Sequence, residues 1–133
     1  MEIEIKERSQ WVADVVEFLN AFHQDARESP GWPDQEIVNL RAKLIAEEYN
    51  ELTDAWMRCD IPETVDGILD LIYVLIGTLP AIGVEPDPVW EEIHSANMRK
   101  VHGARREDGK ILKPEGWKPP DIIGQLKKQG FGK

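Results

Sequence analysis

Between Glu63 and Leu79 the chain is apolar at almost every position, with Val65, Ile68, Leu69, Leu71, Ile72, Val74, Leu75 and Ile76 in close succession. A helix that is apolar all round has no face to give to water, so it must be covered on several sides. That requirement confines the fold to a helical bundle in which this segment lies among other helices, within one copy or shared between copies. The same segment carries Glu63, Asp66 and Asp70, which fall within about 60° of one another at 100° per residue. The most hydrophobic element therefore holds its acids on one narrow line.

The rest of the chain also reads as helix. Val12, Val15, Val16, Leu19 and Phe22 recur at helical spacing, which predicts a first helix over 9–27 with Ser9 as N-cap. The run Ser29-Pro30-Gly31-Trp32-Pro33 breaks it. A second helix, capped by Asp34, is predicted over 35–58, and a short connection through Cys59 and Pro62 leads to the third, over 63–79. Pro80, Gly83 and Pro86 mark a loop, and a fourth helix follows over 88–101, with Asp87 as cap and Pro88 in the first turn. Prolines between Lys113 and Pro120 exclude regular helix there. Residues 103–133 thus read as an extended arm with a turn at Asp108-Gly109-Lys110 and a short final helix at 121–128. No strand pattern stands out. The expected fold is all-α, a single domain over 1–133 comprising a four-helix bundle and a C-terminal arm.

Charge and cysteine content narrow the function. The net charge of −9 is divided into −15 over residues 1–97 and +6 over 98–133. An acidic body argues against a nucleic-acid polymer as partner; acids that hold cations beside a basic tail that meets phosphates suit a metal–nucleotide complex, and a basic tail that merely aids solubility is the plain alternative. Cys59 is the sole cysteine, so no intramolecular disulfide can form. The first ten residues do not resemble a signal peptide, and no apolar run approaches the roughly 20 residues of a membrane span. A cytoplasmic protein with no membrane partner is expected.

On the second helix Ile37, Leu40 and Leu44 begin an apolar stripe that Glu48 and Glu51 continue, with Glu47 at its edge. An unpaired carboxylate buried there is costly unless protonated or compensated. A hard divalent cation such as Mg²⁺ or Mn²⁺ would compensate it through oxygen ligands. In an antiparallel hairpin Glu48 and Glu51 could face the line of Glu63, Asp66 and Asp70. Plainer readings compete: Asp60 and Glu63 have capping-box spacing, the acidic line could be the solvated face of its helix, and Glu47-Glu48 could be an ordinary surface pair.

Taken in order, these residues match a known pattern. Glu47-Glu48-Tyr49-Asn50-Glu51 fits EExxE and Glu63-Thr64-Val65-Asp66 fits ExxD, separated by 11 residues. Asp70-Leu71-Ile72-Tyr73, Gly77, the stretch from His94 to Lys100, Asp108-Gly109-Lys110 and Lys113-Pro114 extend the likeness over roughly residues 18–120. The set resembles the all-α nucleoside triphosphate pyrophosphohydrolases, the group of MazG-like enzymes, dimeric dUTPases and phosphoribosyl-ATP pyrophosphohydrolase; the short connection is most similar to the MazG type. The resemblance implies a Mg²⁺-dependent (or Mn²⁺-dependent) hydrolase that cleaves a nucleoside triphosphate to the monophosphate and pyrophosphate. It implies Glu48, Glu51, Glu63 and Asp66 as metal ligands, Glu47 as a ligand or the base for water, and Asp70 as a group behind the ligands. A house-cleaning role in nucleotide metabolism is a further family analogy.

Helix four places Asn97 and Lys100 on a stripe with Trp90 and Ile93, and the resemblance makes both nucleotide contacts; an internal hydrogen bond and a snorkelling lysine are the plain alternatives. Lys110 and Lys113 on the arm are phosphate-contact candidates or solvated lysines. Trp32 and Trp117 read as anchors for proline-rich loops rather than as base-stacking groups. Glu91-x-x-His94 has di-iron spacing, but such centres need two such motifs and one is present. The main alternative function is a non-catalytic helical oligomerisation or nucleotide-binding module with a relic acidic cluster. The apolar surface of helix three predicts a dimer or tetramer.

Overall fold

The computed structural model describes residues 7–24 and 26–133. Among them are five helices and no strand: α1 Gln10–Ala21, α2 Gln35–Met57, α3 Ile61–Ala81, α4 Pro86–Met98 and α5 Ile122–Lys128. The all-α expectation holds, with the fifth helix where the arm was expected to end in one.

Helix α1 is shorter than its apolar periodicity predicted. It stops at Ala21 because His23 turns left-handed at φ 53°. There the amide of Gln24 donates to the carbonyl of Leu19 and that of His23 to Asn20, which closes a Schellman end. The same bonds end α2, where Cys59 has φ 55° and Asp60 and Cys59 donate to Ala55 and Trp56. Neither stop is marked by glycine. Asp60 then caps α3, accepting from the amide of Glu63 at 3.1 Å. Helix α3 runs two residues beyond its predicted span at each end. Pro62 is tolerated in its first turn, and Pro80 comes late enough to end the helix rather than kink it. Helix α4 begins at Pro86, with Glu85 as cap. Ser9 does not cap its own helix: its backbone amide and hydroxyl both donate to Asp87, at 2.8 and 2.7 Å, tying the start of α1 to that of α4.

Helices α2 and α3 form an antiparallel hairpin, and small residues let it close. A Cβ added to Gly67 would lie 3.0 Å from the Cα of Leu52, and one added to Gly77 would lie 3.0 Å from the guanidinium of Arg41. Ala55 and Thr64 are both buried near the turn. The α2 face turned to α3 is not quite the predicted one. Leu40 is exposed, whereas Arg41 is buried, donating to the Thr78 hydroxyl at 3.0 Å and the Val74 carbonyl at 2.7 Å. Burial pulls the Arg41 pKa below its ordinary value. Helix α1 adds Val12, Val15, Val16 and Leu19 to the core.

The arm is folded back rather than extended. Residues 104–112 make a tight turn with an antiparallel bridge between Arg105 and Ile111, and Gly109 sits at its tip with φ 92°. The chain then returns along α4. Trp117 donates its indole N–H to the Ala96 carbonyl at 2.7 Å, Arg99 donates to the Lys118 carbonyl, and the Asp121 amide donates to Glu92. Gln129 completes the return by exchanging hydrogen bonds with the backbone of Glu85.

Much of the apolar surface stays uncovered. On α3 Ile61, Val65, Leu69 and Leu75 are exposed, and on α4 so are Trp90 and Ile93, the expected core stripe of that helix. By length and composition alone α3 could cross a membrane, a test that the core helix of a soluble protein also meets. Its acids weigh against a lipid-facing helix, because each carboxylate near the middle of a span costs about 3 kcal/mol.

Candidate active site on the α2–α3 hairpin

The close approach at Gly67 sets the geometry of the acids. With Leu52 against Gly67 and Arg41 against Gly77, the antiparallel register brings Glu48 level with Asp70. Glu48 thus stands in the row that includes Arg41, Leu52 and Ala55, where a bundle ordinarily puts an apolar side chain. One of its carboxylate oxygens, Oε2, is buried without a hydrogen-bond partner. Burial pushes the Glu48 pKa up, and the negative charges of Glu51, Asp70 and Glu47 add to that, in that order. Glu51 approaches within hydrogen-bonding reach, but an ionised carboxylate has no proton to give and leaves the oxygen unsatisfied. Asp70 repeats the arrangement: burial raises its pKa first, followed by the charge and proximity of Asp66.

The hairpin therefore carries two like-charged pairs, Glu48 with Glu51 and Asp66 with Asp70, and Glu48 also feels the charge of Asp70 on the other helix. Glu47 is exposed beside them. Glu63 lies one turn before Asp66; its backbone serves the Asp60 cap while its carboxylate is exposed. Among the described residues no three of these groups close into a ready-made cation cage. The donor set nonetheless fits a hard cation. It is all carboxylate, it includes a buried oxygen without a donor, and its members repel one another in the absence of positive charge. No lysine or arginine among the described residues pairs with Glu48, Glu51, Asp66 or Asp70.

The predicted nucleotide contacts gather elsewhere. Asn97 Oδ1 accepts from the Lys100 ammonium at 3.0 Å, which is the internal bond foreseen as its plain alternative. Lys100 and Lys113 both stand over the Trp117 ring, 5.0 and 4.9 Å from its centroid. Lys110 is exposed at the edge of the 104–112 turn. Trp117 is an anchor, as expected; Trp32 is not, being 80% exposed. Glu91 and His94 are both exposed on α4. Arg41, which locks the hairpin above the acids, went unnoticed in the sequence. Its one available signal was a charged residue three positions before Leu44 on the same side of α2.

The pattern of the phosphoribosyl-ATP pyrophosphohydrolase family matches residues 15–97, which take in α2, α3 and every acid of the hairpin. No individual curated protein matches the chain.

Proposed function

Because this chain belongs to the phosphoribosyl-ATP pyrophosphohydrolase family, a branch of the MazG-like all-α nucleoside triphosphate pyrophosphohydrolases, we propose that it hydrolyses a nucleotide at its α–β phosphoanhydride bond, releasing the monophosphate and pyrophosphate with the help of Mg²⁺ or Mn²⁺. The observation that carries the reading is Glu48: a partly buried carboxylate with an orphaned oxygen, surrounded by Glu51, Asp70 and Glu47. Such a group carries an electrostatic penalty when ionised, which a bound positive charge relieves.

Glu48, Glu51, Glu63 and Asp66 would hold the cation, with Asp70 buttressing Glu48 from the opposite helix. When bound, the cation neutralises phosphate charge and lowers the pKa of attacking water. Glu47, exposed at the edge of the cluster, would be a further ligand or the base that takes the proton of that water as its oxygen bonds to the α-phosphorus and the bond to pyrophosphate breaks. A nucleoside triphosphate or a phosphoribosylated adenine nucleotide supplies the anhydride that this chemistry requires.

The test is a panel of nucleoside triphosphates, their deoxy forms and phosphoribosyl-ATP, each incubated with Mg²⁺ and assayed for pyrophosphate and monophosphate. Turnover should appear with at least one, and Glu48→Gln or Asp66→Asn should lower it by about 100-fold or more while the helical fold is retained. Full turnover in either variant rejects the site. The open, two-and-two arrangement of the acids favours one competing reading, a non-catalytic nucleotide-binding module, which predicts nucleotide binding with no pyrophosphate from any member of the panel.

A further inference from the structure

A bundle interior seldom holds a guanidinium with no carboxylate beside it, yet Arg41 is only 8% exposed and forms no ion pair among the described residues. Its donors go to α3 instead, to the Thr78 hydroxyl at 3.0 Å and the Val74 carbonyl at 2.7 Å. Neither acceptor depends on it, because the Thr78 hydroxyl itself donates to the Val74 carbonyl at 2.8 Å. Gly77 is kept bare to make room, since a Cβ there would lie 3.0 Å from the guanidinium. A buried charge of this kind costs desolvation, and an apolar side chain of similar volume is often as stable or more so. Folding stability alone therefore does not account for Arg41.

Its place along the hairpin supplies a reason. The turn between Met57 and Ile61 joins the two helices at one end, and Leu52 against Gly67 holds them close on that side. Glu48 lies about 6 Å farther from the turn than Leu52, and Arg41 about 10 Å beyond Glu48. Between the two contacts Glu48 feels the like charge of Asp70 across the gap, and that repulsion tends to part the unjoined ends. No helix other than α3 packs extensively on α2 among the described residues. We propose that Arg41 is a positioning residue for the acid cluster, a second clamp that, with the Leu52–Gly67 contact, holds Glu48 and Asp70 at their separation against mutual repulsion. The expected effect on cation affinity rests on the pyrophosphohydrolase reading above, while the clamp itself stands on the geometry of the hairpin.

The test reads the separation of the helices directly. Nitroxide labels are attached through Ala42→Cys and Leu75→Cys, two exposed positions toward the open end. Cys59→Asn removes the one native thiol and suits the left-handed backbone there. The distance between the labels is measured by pulsed electron paramagnetic resonance on the full chain in chelating buffer, with excess unlabelled protein so that pairs lie within one copy. Arg41→Met should lengthen and broaden that distance, and Arg41→Lys, which keeps the charge but not the fork of donors, should recover part of the change. In a Glu48→Gln/Asp70→Asn background, where the repulsion is gone, Arg41→Met should leave the distance unchanged, a dependence that a merely structural arginine would not show. In the unlabelled chain Arg41→Met should keep or raise the unfolding midpoint in chelating buffer while weakening Mg²⁺ or Mn²⁺ binding on the order of tenfold. The proposal is overturned if Arg41→Met leaves the distance as it was, changes it equally in both backgrounds, or lowers the midpoint. Wild-type protein that binds neither ion, with the distances as expected, would reject the active-site reading and leave the clamp. Turnover and normal cation binding with an unchanged distance would do the reverse.

Discussion

Glu48 concentrates the chemistry at the scale of a single residue. Its pKa is raised by burial and by neighbouring carboxylates, so its charged form is less favourable in the folded chain than in the unfolded one. The sign of the linkage follows. With no divalent cation, the folded state binds more protons than the unfolded state around the raised pKa, and the penalty is complete above it. As pH falls through that value toward the ordinary carboxylate range, the penalty is relieved. Glu48→Gln should therefore raise the midpoint of thermal unfolding in chelating buffer at neutral pH by a few degrees. The difference between wild type and variant should shrink as the buffer is made acidic. A difference that is absent at neutral pH, or that widens toward acid, contradicts the electrostatic account.

At the scale of elements, the α2–α3 hairpin makes the site by letting two helices approach closely. Gly67 is the point of contact, because its missing Cβ leaves only 3.0 Å to the backbone of Leu52. Gly67→Leu should push the helices apart, lowering stability by about 1–3 kcal/mol through overpacking and weakening Mg²⁺ binding beyond tenfold; a variant with normal cation affinity would show that the close approach does not set the site. The hairpin and its acids were legible in the sequence because EExxE and ExxD occupy fixed places on strongly periodic helices. The facing side of α2 was read one position off, with Leu40 in the place that Arg41 takes. The bonds from Arg41 to Val74 and Thr78 that decide this are tertiary, and no periodicity encodes them. The end of α1 at Ala21 was hidden for a similar reason. His23 adopts the left-handed turn usually given to glycine, and the hydrogen bonds of the Schellman end hold it there.

At the scale of the whole molecule, the arm and the uncovered apolar faces stand out. The prolines of the arm correctly excluded helix, but the return along α4 depends on the Trp117–Ala96 and Gln129–Glu85 bonds between residues 21 and 44 positions apart. Local sequence cannot announce such contacts. The exposed Val65, Leu69 and Leu75 on α3 remain the strongest argument for self-association. We expect a dimer or tetramer by light scattering at micromolar concentration, with Leu69→Asp shifting the protein toward smaller species; a wild-type monomer contradicts this expectation. Shared helical packing would also cover apolar surface that the single chain leaves to water.

All of this turns on whether the facing acids of α2 and α3 take up a divalent cation. Isothermal titration of Mg²⁺ and Mn²⁺ into the protein at neutral pH, with and without a non-hydrolysable nucleotide, addresses that directly. Saturable binding that Glu48→Gln and Asp66→Asn each abolish is the expected result. Wild-type protein that binds neither ion under either condition would contradict the account.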